Sequence, residues 1–167
     1  MKYFRITKHN PKYRNKSGHY MRDEWISFSD IGQVFNGEVF SLDEYLDIEE
    51  KYCTAVNLFM ECCEADNLIL TSVEYFNEKL SKLYPVSTKS IHKKVKNGNS
   101  YSRSEINDIC KLILRENIWG KLSSSNMYVH FGYDYYMYIG VEADCIKTLM
   151  KIEEDGLFVE EVMSPYR

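Results

Sequence analysis

Hydrophobic and polar residues alternate most regularly in MYVHFGYDYYMYIGV, residues 127–141. Successive side chains of a strand point to opposite sides, so Met127, Val129 and Phe131 share one face while Tyr128 and His130 share the other. Past the turn, Met137, Ile139 and Val141 repeat the aliphatic set, and Tyr136 and Tyr138 repeat the tyrosine set. Gly132, Tyr133 and Asp134 supply turn chemistry, because glycine reaches positive φ freely and aspartate bonds its own backbone. Setting aliphatic against aliphatic requires an odd connection of three or five residues, since a one-residue slip would exchange the faces of a whole strand. The pattern predicts a central hairpin. Its tyrosine face suits either a covering helix, the simpler expectation, or a protein interface.

The rest of the chain supplies elements to cover that hairpin. Lys2–Thr7 alternates as a short strand that Asn10 and Pro11 end. A basic, turn-rich loop follows through Asn15, Ser17 and Gly18, and Trp25, Ile26, Phe28 and Ile31 return the chain to the core as a strand or an irregular wrap. Ser41 and Glu44 form a capping box, with Phe40 placed to staple against Tyr45. Tyr45, Ile48, Tyr52, Val56, Phe59 and Cys63 then recur at helical spacing, with Asp43, Asp47, Glu50, Asn57, Glu61 and Glu64 opposite. This predicts a helix at about 42–65 with a strongly acidic exposed face, on which Glu49, Glu50 and Lys51 read as solvated. Residues 68–76 read as a strand. Residues 80–95 are ambiguous: Pro85 interrupts them, Ser87 or Thr88 is a possible cap, and Asn97, Gly98 and Asn99 close them as a turn. Ser102 and Glu105 repeat the capping box before a second helix at about 103–116, marked by Ile106, Ile109, Cys110 and Ile113. Ile118 and Trp119 pack as Gly120 releases the chain, and 123–126 is a loop. Ile146, Leu149 and Met150 suggest a short helix ended by Asp155 and Gly156, and 157–162 a last strand. The expected fold is a single α+β domain, an antiparallel or mixed sheet centred on the 127–141 hairpin with two main helices packed on it.

The totals agree with that reading and narrow it. A chain of 167 residues, 44% hydrophobic and 14% aromatic, is a folded domain and not a disordered segment. The charged opening is not a signal peptide, and no run approaches the roughly 18 apolar residues of a membrane helix. Five cysteines, Cys53, Cys62, Cys63, Cys110 and Cys145, show no C-x-x-C pair and read as reduced, buried thiols, which implies a cytoplasmic protein. The net charge of −4 conceals blocks. Residues 1–22 carry only bases, 23–78 carry fourteen acids against Lys51 alone, and 79–104 again carry only bases. Blocks of this kind steer partners.

Chemical signatures are sparse. His9, His19, His92 and His130 do not have the spacing of metal ligands, and no metal or cofactor is expected. There is no nucleophile elbow, P-loop or dinucleotide fingerprint. The lysines of 79–104, flanked by Tyr84 and Tyr101, are a candidate for nucleic-acid contact that an isoelectric point near 5.6 weakens. The opening, with Tyr3-Phe4-Arg5-Ile6-Thr7, Asn10-Pro11, Tyr13-Arg14, Gly18, Tyr20, Asp23-Glu24-Trp25 and Ser27-Phe28-Ser29-Asp30-Ile31-Gly32, together with the FGYDYYMYIG hairpin, resembles the small immunity proteins of bacterial polymorphic toxin and contact-dependent growth inhibition systems. That resemblance implies a cognate toxin, often a nuclease, neutralised by tight one-to-one binding. Two surfaces have the equipment for it: the acids Glu44, Asp47, Glu50, Glu61 and Glu64, and the hairpin face of Tyr128, His130, Tyr136 and Tyr138. The alternatives are a nucleic-acid-associated regulator using 79–104 and the basic N-terminal segment, and an enzyme whose catalytic residues are dispersed along the chain.

Overall fold

The computed structural model describes residues 1–76 and 93–166. In chain order it contains β1 (Lys2–Thr7), β2 (Val34–Phe35), β3 (Glu38–Val39), α1 (Leu42–Cys62), β4 (Asn67–Tyr75), β5 (Ser100–Ser102), α2 (Arg103–Leu114), β6 (Ile118–Ser123), β7 (Met127–Phe131), β8 (Tyr136–Val141), α3 (Ile146–Glu154) and β9 (Phe158–Glu160). Seven strands form one sheet in the order β5-β4-β6-β7-β8-β1-β9, and every pairing in it is antiparallel. Strands β2 and β3 form a separate small hairpin. The fold is thus α+β with an antiparallel sheet.

The central hairpin has the predicted register. Met127 pairs with Val141, Val129 with Ile139 and Phe131 with Met137, so aliphatic meets aliphatic. Five residues, 132–136, lie between the last paired positions, and the Gly132 N–H closes the loop onto the Tyr136 carbonyl at 2.6 Å. Strand β1 adds Phe4 and Ile6 to the same face, opposite Ile139 and Met137. Helix α1 covers this layer with Tyr45, Tyr52, Val56 and Phe59, all at most 1% exposed, and Phe59 stacks on Phe4 with centroids 6.2 Å apart. Each such side chain contributes about 1.5–3 kcal/mol by leaving water. The Ser41–Glu44 and Ser102–Glu105 capping boxes both form, so α1 and α2 begin where their sequences place them.

Several expectations are corrected. Residues 118–123 do not release the chain but form β6, where Ile118, Gly120 and Leu122 are buried. A Cβ at Gly120 would lie 2.7 Å from Leu70 Cδ1, so this glycine lets β4 and β6 approach each other. The 23–32 stretch is an irregular wrap with one 3-10 turn at Phe28–Asp30. Helix α3 forms, but Ile146 and Met150 are each 57% exposed and Ile152 is the residue it buries. Glu49 is not solvated: it is 2% exposed and takes two hydrogen bonds from Arg115 at 2.7 and 2.5 Å, which tie α1 to the end of α2. Cys62 and Cys145 form a disulfide across 83 residues, joining the end of α1 to the start of α3, while Cys53, Cys63 and Cys110 are free and buried. A disulfide stands against the reading of all five cysteines as cytosolic thiols. No helix among the described residues is long and apolar enough to cross a membrane. The possible short helix near Ser87 or Thr88, with Lys79, Lys82, Lys89, Tyr84 and His92, lies outside the described residues.

Candidate functional site

The exposed side of α1 carries the acids that the sequence singled out. Glu44, Asp47, Glu50, Glu61 and Glu64 are all solvent-exposed, but they are not one cluster. At 1.5 Å per residue, about 25 Å of helix separates Glu44 from Glu61. Asp47 pairs with Lys51 at 2.7 Å and Glu50 with Lys111 at 3.6 Å. Glu44 bonds its own N-cap, accepting from the Ser41 backbone N–H at 2.9 Å. Glu64 sits beyond the helix end in a left-handed conformation, φ 52°. Asp43, Glu44, Asp47 and Glu50 crowd the first turns of the helix, where two of the four are offset by lysines.

Just before the helix the chain exposes aliphatic residues that the sequence reading did not pick out. Asn36 and Gly37, both at positive φ, turn the β2–β3 hairpin and set Val34 opposite Val39. Val34 and Val39 are 60% and 62% exposed, and Leu42 and Leu46, one turn apart on the first part of α1, are 38% and 37% exposed. Glu38 is exposed beside them. The Asn-Gly dipeptide was the available signal, since it favours a two-residue hairpin turn. Residues 34–50 thus expose four large aliphatic side chains in a stretch that also exposes five carboxylates, a composition found at protein-binding surfaces.

The tyrosine face of the hairpin is covered, though not by a helix. Residues 161–166 run over it: Ser164 Oγ and His130 Nδ1 lie 2.9 Å apart, and the Tyr166 ring meets both Trp119 and Tyr138 at about 6 Å. His130 and Tyr138 are buried, whereas Tyr128 and Tyr136 are half-buried. Tyr128 lies flat over Gly140, where an added Cβ would stand 2.2 Å from the ring, and it stacks on His130 at 4.4 Å. Tyr136 accepts a hydrogen bond from Arg14 Nη1 at 3.0 Å, and the Arg5 and Arg14 guanidiniums lie 4.9 and 5.2 Å from its ring centre. His130, Tyr136 and Tyr138 are thus engaged in holding chain segments onto the sheet, and Tyr128 packs within the sheet itself.

Part of the basic opening is likewise absorbed internally, while Lys12, Lys16 and Arg22 are exposed. Glu160 takes two hydrogen bonds from Arg5, at 2.9 and 2.8 Å, and two from Arg14, both at 3.2 Å. Lys8 lies 3.6 Å from Glu24 and 4.1 Å from the centre of the Trp25 ring, and burial pulls its pKa down to about 8. His9, 1% exposed, lies between Glu24 and the Asp134 carbonyl, and burial with the neighbouring Lys8 charge pulls it down to about 4. A lysine and a neutral histidine titrating in such ranges are groups that acid–base catalysis uses. Here both are held against Glu24, in contacts that join the opening to Trp25 and the hairpin loop. Among the described residues, no group of three or more His, Cys, Asp or Glu side chains is arranged to hold a metal ion.

Compared with protein-family models, with curated proteins and with solved structures, the chain has no match.

Proposed function

We propose that this protein is a non-enzymatic neutralising partner, an immunity-type inhibitor that occludes a basic toxin, possible targets including a nuclease's substrate cleft. The observation that carries the reading is the exposure of aliphatic and acidic side chains together in residues 34–50, from β2 through the first turns of α1. Val34, Val39, Leu42 and Leu46 are exposed among Glu38, Asp43, Glu44, Asp47 and Glu50. Exposed aliphatic groups supply adhesion once desolvated, and the surrounding carboxylates accelerate encounter with a cationic surface. Of the five acids named from sequence, Glu44, Asp47 and Glu50 belong to this stretch. Glu61 and Glu64 lie at the far end of the helix and extend its field. For the nucleic-acid alternative, Lys2, Arg5, Lys8 and Arg14 of the opening are paired with acids of the same chain, whereas most of 79–104 lies outside the described residues.

The test is growth of bacteria expressing the open reading frame adjacent to this one in the source genome, with and without this protein. Relief of toxicity is the expected result. Asp47→Arg with Glu50→Arg should then slow association about tenfold at low salt, and Leu42→Ala with Leu46→Ala should accelerate dissociation. A harmless neighbour, or toxicity that this protein does not relieve, overturns the function. Relief that survives both double variants with unchanged kinetics overturns the surface.

A further inference from the structure

Away from residues 34–50, a cavity of 440 Å³ opens where the end of α2 meets β6, β7 and the hairpin loop. Its volume lies in the range of small-molecule sites, roughly 300–1,000 Å³. Five aromatic residues, Phe76, Trp119, Phe131, Tyr133 and Tyr135, line it, and aliphatic side chains complete the wall. Among the described residues, Glu116 is the only charged one in the lining, and it has no ion-pair partner there. Tyr133 is 73% and Phe76 41% exposed, so large rings reach solvent at this site. Glu116 holds φ 59° because it follows the α2 C-cap, where the Asn117 N–H bonds the Leu112 carbonyl, and Tyr135 holds φ 59° in the hairpin loop, so two chain turns fix the cavity's edges.

An aromatic wall whose one charged group among the described residues is a carboxylate has a defined complement. Ring faces are negative and attract cations, Glu116 supplies a full counter-charge, and the aliphatic wall accepts an apolar body. We propose that this cavity binds an organic cation with an apolar body, an aryl-alkyl ammonium or quaternary ammonium ion, with its charged group between the aromatic rings and Glu116. The site is independent of the toxin-binding reading and shares no residue with that stretch.

The experiment titrates the full chain with 2-phenylethylammonium and benzyltrimethylammonium, following tryptophan fluorescence, with 2-phenylethanol as the neutral comparator. Saturable quenching by both cations at millimolar concentration or below is expected, with the alcohol at least tenfold weaker. The signal should vanish in Trp119→Phe and persist in Trp25→Phe. Glu116→Gln should weaken the cations about tenfold without affecting the alcohol, a change of about 1.4 kcal/mol. Tyr133→Ala, which alters a largely exposed side chain, should also weaken the cations and keeps the test valid if the Glu116 variant folds poorly. Absence of saturation, equal binding of the alcohol, a signal retained in Trp119→Phe, or cation affinity unchanged in both site variants would each overturn the proposal.

Discussion

On one side of the seven-stranded sheet, Ile6, Val129, Met137, Ile139 and Val141 are wholly removed from solvent beneath α1. On the other, His130 and Tyr138 are closed off by the 161–166 segment, and Tyr136 by Arg5, Arg14 and the His9 ring. The strands are shared, so the difference lies in what covers them. A helix satisfies its own backbone and can cover a sheet with apolar side chains alone, because hydrophobic burial is non-directional. An irregular segment brings backbone groups and charges with it, and these need specific partners. Hence the Arg5–Glu160–Arg14 group and the rings of Tyr136 and Tyr138 are engaged on the second side, while on the first Tyr45, Tyr52 and Tyr135 pack as core rings and Glu49–Arg115 is the buried ion pair. The comparison predicts that the helix side fails through lost packing or a broken buried pair, and the other side through a change in charge.

The largest effect tests the exception on the helix side. Glu49 and Arg115 are 2% and 3% exposed, and their bidentate pair lies among apolar groups between α1 and α2. Arg115→Met should cost about 3–5 kcal/mol in denaturant unfolding, because Glu49 is left as an uncompensated buried charge. Adding Glu49→Met should recover most of that loss. A single-variant cost under about 1 kcal/mol would show that water reaches the pair and that the helix layer is less dry than its burial implies.

Acid should act on the other side. The unfolded chain protonates His9 near 6.5, whereas the folded protein resists until about 4. Between these values the unfolded state binds more protons, so stability falls as pH falls, by about 3 kcal/mol in total. His9→Gln should flatten the stability profile from pH 6.5 to 4. An unchanged slope in that variant would mean that His9 is not held neutral by the contact of the opening with the hairpin loop.

This division also explains what was legible in the sequence. The hairpin register, α1, α2 and most strands follow from periodicity and capping, which are local. Strand β6 was hidden by Gly120, which reads as a break and acts as a close approach to Leu70. The Cys62–Cys145 disulfide and the Glu49–Arg115 pair join positions far apart in sequence, and no spacing rule announces them. Glu49 was hidden further by its acidic neighbours, although it faces inward on α1. Of the candidate surface, the acids were visible by composition. Their separation along the helix, and the exposure of Val34, Val39, Leu42 and Leu46, appear only in the structure.

The smallest effect sharpens the contrast most, because it changes charge with almost no change in volume. Burial alone would raise the pKa of the Glu160 carboxyl, but Arg5 and Arg14 more than offset this and hold it below the usual carboxylate range. The three side chains are only 10–16% exposed. Glu160→Gln leaves two guanidiniums sharing a neutral acceptor, and should cost about 1–2 kcal/mol near neutral pH, discounted from a fully buried pair because solvent reaches the site. A depressed carboxylate stabilises the fold above its unfolded pKa, and that contribution is lost as pH falls through the folded value. The stability gap between the wild-type protein and the Gln variant should therefore be constant at neutral pH and shrink below about pH 4.5. A gap that persists undiminished in acid would assign the loss to hydrogen-bond geometry and not to charge. In that case the arginines hold the amino-terminal segment by shape, and the two sides of the sheet differ less than their contacts suggest.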